Sequence, residues 1–374
     1  MTFKLTGGRI FTGGSFVKED LYLEGDRVLQ IGGSAPCDAS EDVSGSYIVP
    51  GFIDTHIHGG LGSDFIQGMP ALEKLSHTFP AQGLTSYLPT ITGPHNEMKK
   101  AVADVRTAMK LDLGSRVLGA HVEGPFLNPE RKGALNAKAL ERPDLDSLID
   151  LIGEGAGVAK MTVAPELPGA EGVIRYLAAH GVVASIGHTV ATSEIAERSI
   201  AWGVTHATHL FDAMEPMHHR KGGVLPVVLS HPGVVCELIC DLIHVEPTMI
   251  WLALHCKQGR INVVTDAMEA TGQPDGDYVL SGQKVLVRDG IARLEAGNLA
   301  SSTLTMDQAL RNLVQKMGLP LESVLPLLSE VPADLLGRRD LGRIRPGALA
   351  DLVILDEELT LRATYVSGRK IFER

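Results

Sequence analysis

Residues 50–60 read PGFIDTHIHGG, an apolar run that delivers His56 and His58 one residue apart and then stops at two glycines. Side chains along a strand alternate faces, so the two imidazoles point the same way. Converging imidazoles are metal-ligand chemistry. A pair of histidines hydrogen-bonded at a strand end has the same spacing, so this motif alone decides nothing. Further residues of the same kind end other short apolar runs. Glu123 stands in RVLGAHVEG, His188 closes GVVASIGH, His209 lies in VTHATHLF and Asp266 in INVVTDA. Imidazoles and carboxylates are the donors of a divalent-cation site, provided that the fold brings them together.

The elements that must do so repeat in order. β-branched runs at 51–58, 84–90, 116–124, 159–165, 181–188, 204–211, 234–241 and 261–267 alternate with stretches of helical periodicity such as MKKAVADVRTAMKL and SEIAERSIAWG. Alternating β and α units predict an α/β protein, a (β/α)8 barrel of the TIM type. A doubly wound open sheet is the alternative, but it would not place polar residues at so many strand ends. In a barrel the C-terminal ends of all strands open on one face, where barrel enzymes hold their active sites. His56, His58, Glu123, His188, His209 and Asp266 would then meet in one bowl.

Residues 1–49 and 345–374 have a different character: short strand-like runs with tight turns, FKLTGGRIFTGG and LYLEGDRVLQIGG at one end and ADLVILDEELTLRATYVSGRKIFE at the other. They are expected to pair into one small, discontinuous β-sandwich domain, with residues 50–344 forming the barrel. The 374 residues carry a formal net charge of −11. No basic stripe exists to neutralise phosphates, so a nucleic-acid partner is excluded. The longest apolar segment, GGVLPVVLSHPGVVCELICDLIHV, is broken by prolines and charges, so no membrane span is expected. The N-terminus lacks the apolar core of a signal peptide, and the four cysteines form no CxxC pair, which points to a cytoplasmic, reducing home.

PGFIDTHIHG, HVEGPFLNPERKGALN, IGHTVAT, ATHLFDAMEPMHHRKGG, DLIHVEP, VTDAM and STLTMDQALRNLV together resemble the N-acetylglucosamine-6-phosphate deacetylases of the amidohydrolase superfamily. The likeness runs in order along the whole chain, and HxEGPF and GHTxAT are far more specific than HxH. The resemblance implies a metal-dependent hydrolase that removes acetate from a 2-acetamido sugar phosphate. It implies Glu123, His188 and His209 as ligands of one divalent ion and His56 and His58 as ligands of a second beside it. Zinc is the first expectation, and iron, cobalt or manganese suit the same donors. Asp266 would take a proton from the attacking water and later give it to the amine nitrogen. Strand-end aspartates often cap helices, but in VTDA after the eighth strand the catalytic reading is stronger. His121 reads as a core histidine sharing the strand face of Glu123, Lys160 sits at the wrong end of its strand for a ligand, and His218 and His219 read as loop residues near the substrate.

The substrate side is less faithful to the family pattern. Leu135 stands where the family has a sugar-contacting histidine, Asp212 where it has a neutral amide near the phosphate, and Leu242 and Ser301 where it has glycines. Ala213, Arg220 and His244 persist as implied phosphate contacts, and Leu299 opens the LASST block that completes the pocket. The implied substrate is N-acetyl-D-glucosamine 6-phosphate, with a different N-acylated sugar or small molecule, phosphorylated or not, as the alternative that these departures raise. The resemblance also implies a homodimer with Arg220 or His244 near the partner.

Overall fold

The computed structural model describes residues 2–374. Eight parallel strands follow one another around the barrel: β1 Phe52–Ile57, β2 Leu84–Ile91, β3 Ala120–Glu123, β4 Val158–Val163, β5 Val183–Ile186, β6 Val204–Ala207, β7 Val235–Ile239 and β8 Ile261–Val264. Each pairs with the next in chain order. The seam between β8 and β1 is closed just past the strand ends, where Asp266 N–H donates to the His56 carbonyl at 2.8 Å and His58 N–H to the Ala267 carbonyl at 2.8 Å. Below it, the Thr265 hydroxyl donates to Asp54 Oδ2 at 2.6 Å. The barrel is the architecture that the βα alternation predicts.

The third run is shorter than its sequence. Arg116–Val117 adds a two-residue strand beside β2, and β3 begins only at Ala120. Gly119 breaks the run: its φ is 140°, and a Cβ there would lie 2.9 Å from Ala159 Cβ.

Alternation sorts each strand into an outer face and an inner one. On β7, Cys236 and Leu238 join the apolar layer under the helices while Glu237 faces inward. Glu237 meets Lys160 of β4 and Thr55 of β1, neither of them on a neighbouring strand, and such contacts cross the barrel interior. Much of the interior is polar. His121 bonds the Thr90 and Thr162 hydroxyls at 3.0 and 2.8 Å, Thr162 bonds Thr208 at 2.8 Å, and Ser185 bonds His206 Nδ1 at 2.9 Å. Barrel interiors are usually filled by branched aliphatic layers; here a largely hydrogen-bonded polar core sits beneath the bowl, with His206 Nε2 and Asn262 Oδ1 left without a partner among the described residues.

The terminal strands form two sheets. Thr2–Thr6, Leu21–Glu24, Arg27–Ile31 and Ala39–Asp42 make one; Arg9–Thr12, Ser15–Val17, Tyr47–Pro50, Leu352–Leu355, Leu361–Val366 and Arg369–Glu373 make the other. Leu5, Ile10, Leu21, Leu23 and Ile48 pack with Leu352 and Ile354 in a core of their own. Val353 and Leu355, alternating with that pair, pack into the barrel's apolar layer instead. A strand buried on both faces needs four consecutive apolar residues, and LVIL supplies them.

A third small sheet lies within 50–344. Gly276–Leu280, Gln283–Arg288 and Ile291–Leu294 form an antiparallel meander after β8, with Leu280, Gln283 and Leu294 lining the mouth of the bowl. Its turns are Ser281-Gly282 and Asp289-Gly290, all four residues with φ between 49° and 73°. Positive φ at both central residues is the I′-type hairpin requirement, and glycine meets it without steric cost.

Candidate metal and substrate site

The six strand-end residues meet. Glu123, the last residue of β3, lies at the centre with Oε1 3.2 Å from His188 Nε2, 3.3 Å from His209 Nε2 and 3.5 Å from His56 Nε2. Its Oε2 is 3.3 Å from His58 Nε2. Asp266 Oδ1 approaches His58 Nε2 at 3.1 Å and His56 Nε2 at 3.4 Å. Two groups have donor atoms close enough to share an ion: Glu123, His188 and His209, and His56, His58 and Asp266. All six are buried.

Three histidines are turned so that Nε2 faces the centre. His188 Nδ1–H donates to the Arg131 carbonyl at 2.7 Å, His209 Nδ1–H to the Asp212 carbonyl at 3.1 Å, and His56 Nδ1–H to Glu237 Oε2 at 2.9 Å. With the proton on Nδ1, a neutral ring presents its Nε2 lone pair to the site. His188 and His209 bring these nitrogens within 3.0 Å of each other. Among the described residues, His56 Nε2 and His58 Nδ1 are buried without a hydrogen-bond partner. Converging lone pairs beside two carboxylates fit a divalent cation.

The electrostatics agree. Burial alone would lower the His58 pKa, yet hydrogen bonds to Asp266 and Glu123 carry it up to about 10. His209 is carried up to about 9 against the same burial, chiefly by Glu123. Burial opposes ionisation of Glu123 as well, but His56 and the three other imidazoles hold its pKa well below the usual range. The carboxylates thus draw positive charge strongly into the bowl, the demand that a bound cation would answer.

The backbone is strained where it presents these side chains. His188, His209 and Asp266 have φ of 48°, 28° and 49°. Such values cost an L-residue about 1–2 kcal/mol each and persist only where surrounding contacts impose them. At Asp266 those contacts are its own N–H to the His56 carbonyl and Ser302 N–H to its carbonyl, both 2.8 Å.

Above this floor lies a cavity of about 830 Å3. Leu135, Asp212, Ala213, His244 and Leu299 all line it. His244 Nδ1 bonds Asp241 Oδ2 at 2.7 Å, and although burial opposes it, this contact raises the imidazole pKa. Asp212 Oδ2 is buried without a partner among the described residues, and burial pushes the carboxyl up to about 6. Leu242 and Ser301, the two replacements of glycine, have φ of 66° and 54°, the conformation that favours glycine. The Ser301 hydroxyl donates to Asp266 Oδ1 at 3.2 Å. Arg220 is the exception. It is exposed on the loop after β6, its guanidinium meets His219 at 2.6 Å, and it lies outside the cavity lining of its own chain.

Several contributors escaped the sequence reading. Glu237 is a lone carboxylate within the apolar run VVCELIC, which is itself a signal that the strand has a polar inner face. Lys160, read from the sequence only as lying at the wrong end of its strand for a ligand, is fully buried and paired with Glu237. Gln283 and Lys284 reach the cavity from the meander.

A model of the amidohydrolase family matches residues 47–371. The chain is 35% identical over 391 aligned positions to human N-acetylglucosamine-6-phosphate deacetylase, covering 99% of this chain and 95% of the relative. It is 33% identical to the N-acetylgalactosamine-6-phosphate deacetylase of Escherichia coli O157:H7, covering 99% of each. Among solved structures, N-acetylglucosamine-6-phosphate deacetylase from Pasteurella multocida superposes with a TM-score of 0.95 at 30% identity, over 100% of both chains. A cation-demanding floor of strand-end histidines and carboxylates, on a barrel shared along its full length with these enzymes, places the chain in the amidohydrolase family, as a metal-dependent hydrolase of the N-acetylglucosamine-6-phosphate deacetylase group.

Proposed function

We propose that this chain hydrolyses the acetamide of N-acetyl-D-glucosamine 6-phosphate, giving glucosamine 6-phosphate and acetate. The observation that carries the reading is Glu123, whose carboxylate has the Nε2 atoms of four histidines within 3.5 Å while Asp266 stands beside them. Glu123, His188 and His209 would hold one divalent ion, and His56 and His58 a second. Zinc is the first candidate, with iron, cobalt and manganese suited to the same donors. When bound, the ion supplies Lewis acidity, which polarises the acyl oxygen and makes water nucleophilic near neutral pH.

The chain's own residues do the rest. Asp266 Oδ1 accepts the proton of the attacking water and returns it to the amine nitrogen, so one carboxylate serves as base and then acid. The Ser301 hydroxyl, bonded to that oxygen, holds the carboxylate facing the cavity. Leu135 and Leu299 form an apolar wall against the sugar, while Ala213 N–H and the His244 imidazole offer donors to the phosphate. Arg220, exposed on its own chain, would reach the phosphate held by a second subunit of a homodimer.

A cytoplasmic location is in keeping with four cysteines that are all unpaired among the described residues. No helix among those residues is long and apolar enough to cross a membrane. The alternative raised by the pocket departures, a deacylase of an N-acylated compound without phosphate, finds no support in the relatives above, each of them named for a sugar 6-phosphate. The test is acetate release from N-acetylglucosamine 6-phosphate by the purified protein, before and after chelation and after restoring zinc. Release that is lost on chelation and regained with the ion is expected; a metal-replete protein that releases no acetate overturns the proposal.

A further inference from the structure

Behind the bowl, one carboxylate touches both candidate metal groups. Glu237 Oε2 accepts from His56 Nδ1–H at 2.9 Å and from the main-chain N–H of His209 at 3.1 Å. Its other oxygen faces the Lys160 ammonium and the Thr55 hydroxyl. Glu237 and Lys160 are both fully buried, and neither lines the cavity, so they cannot touch substrate. A buried ion pair is no efficient way to stabilise a fold, because desolvation of both charges offsets most of their attraction. An apolar pair would fill the same space, so the carboxylate needs another explanation.

The hydrogen bonds supply one. His56 Nε2 is one of the buried nitrogens left without a partner among the described residues, and it faces Glu123 and Asp266. It offers a lone pair only if the ring proton sits on Nδ1, and among the described residues the acceptor facing Nδ1 is Glu237. We propose that Glu237 is a positioning residue of the metal site: it fixes His56 in the Nδ1–H tautomer with Nε2 presented to the ion, and Lys160 beneath it provides the countercharge. The inference rests on the proposed deacetylase site in one respect only, that His56 is a ligand.

Two double variants isolate the acceptor from the charge. Glu237→Gln with Lys160→Met removes the ion pair but keeps a carbonyl oxygen for His56; Glu237→Leu with Lys160→Met removes the acceptor as well. Zinc binding to the metal-stripped proteins is titrated against a competing chelator, with thermal melting alongside. The glutamine variant should bind two ions as the wild type does. The leucine variant should hold the ion on the His56 side about 10- to 100-fold more weakly and keep the ion on the Glu123, His188 and His209 side. Equal affinities in the two variants, loss of both ions together, or a wild type that binds one ion only would each overturn the proposal. Should the leucine variant fail to fold, 15N spectra of the zinc-loaded wild type decide: a His56 proton on Nδ1, hydrogen-bonded to the Glu237 carboxylate, is expected, and a proton on Nε2 refutes it. Acetate release by the wild type is scored separately, so failure of the deacetylase reading is not mistaken for failure of this one.

Discussion

The floor and the wall of the cavity are built on different terms. The floor is six buried side chains at barrel strand ends, bonded to one another and backed by a polar interior. The wall is made of loops after the strands and an inserted meander, and it holds half-buried residues such as Asp212 and Ala213. Every departure from the family pattern, Leu135, Asp212, Leu242 and Ser301, falls in the wall or the loops that shape it. Reaction chemistry constrains the floor, where each donor must meet the others within a few tenths of an ångström. The wall has chiefly to fit a substrate, and of its departures only the Ser301 side chain, bonded to Asp266 Oδ1, hydrogen-bonds a floor residue.

The largest effects should come from the floor. His188→Ala removes an imidazole that the Arg131 carbonyl aims at Glu123, so metal content and turnover should both collapse. Metal analysis and rate on the same preparation check this, and a full rate with full metal would remove His188 from the site. His56→Ala should cost the second ion and leave partial activity. Asp266→Asn should fold and keep its ions but lose about 10^2- to 10^4-fold in kcat, because the amide cannot accept the proton. Near-normal turnover would move the base elsewhere.

Wall substitutions should act on specificity with smaller effects. Asp212→Asn removes a carboxylate whose Oδ2 has no partner, and it should raise kcat/KM for the phosphorylated sugar severalfold. Like charges about 4 Å apart repel by about 4 kcal/mol at an effective dielectric of 20, and His244, whose pKa the Asp241 contact raises, works against that repulsion. A fall on every substrate would instead make Asp212 a recognition element. Leu135→His should shift preference further toward N-acetylglucosamine 6-phosphate by restoring a polar contact at the cavity wall.

The smallest effect contrasts strain that serves the site with strain that does not. Gln258, exposed at the C-terminal end of the helix Pro247–Lys257, has φ of 43°, much like the 48° of His188. Gln258→Gly should raise unfolding free energy by about 1 kcal/mol with no change in rate. Denaturant melts of the two proteins measure it, and a loss of stability would show that the left-handed residue is not strained.

The same contrast explains what could be read from the sequence. His56, His58, Glu123, His188, His209 and Asp266 were legible because barrel topology sends every strand end to one face, so position along the chain fixes position in space. Glu237 and Lys160 were not, because their meeting depends on which residues face inward and on distances across the barrel. Arg220 was legible as a type of residue but not in its placement outside the cavity of its own chain. The meander at 276–294 went unread although its signals were present: Ser281-Gly282 and Asp289-Gly290 between alternating runs mark hairpins.

The most direct test of the division between floor and wall is kcat/KM for N-acetylglucosamine with and without its 6-phosphate, measured on the metal-loaded wild type and on Arg220→Ala. The wild type is expected to favour the phosphorylated sugar by about 100-fold or more, the worth of two charge-assisted contacts. Arg220→Ala should lose most of that preference through KM while keeping kcat. Equal rates on both sugars, unaffected by the arginine, would contradict the account of the wall while leaving the hydrolytic floor in place.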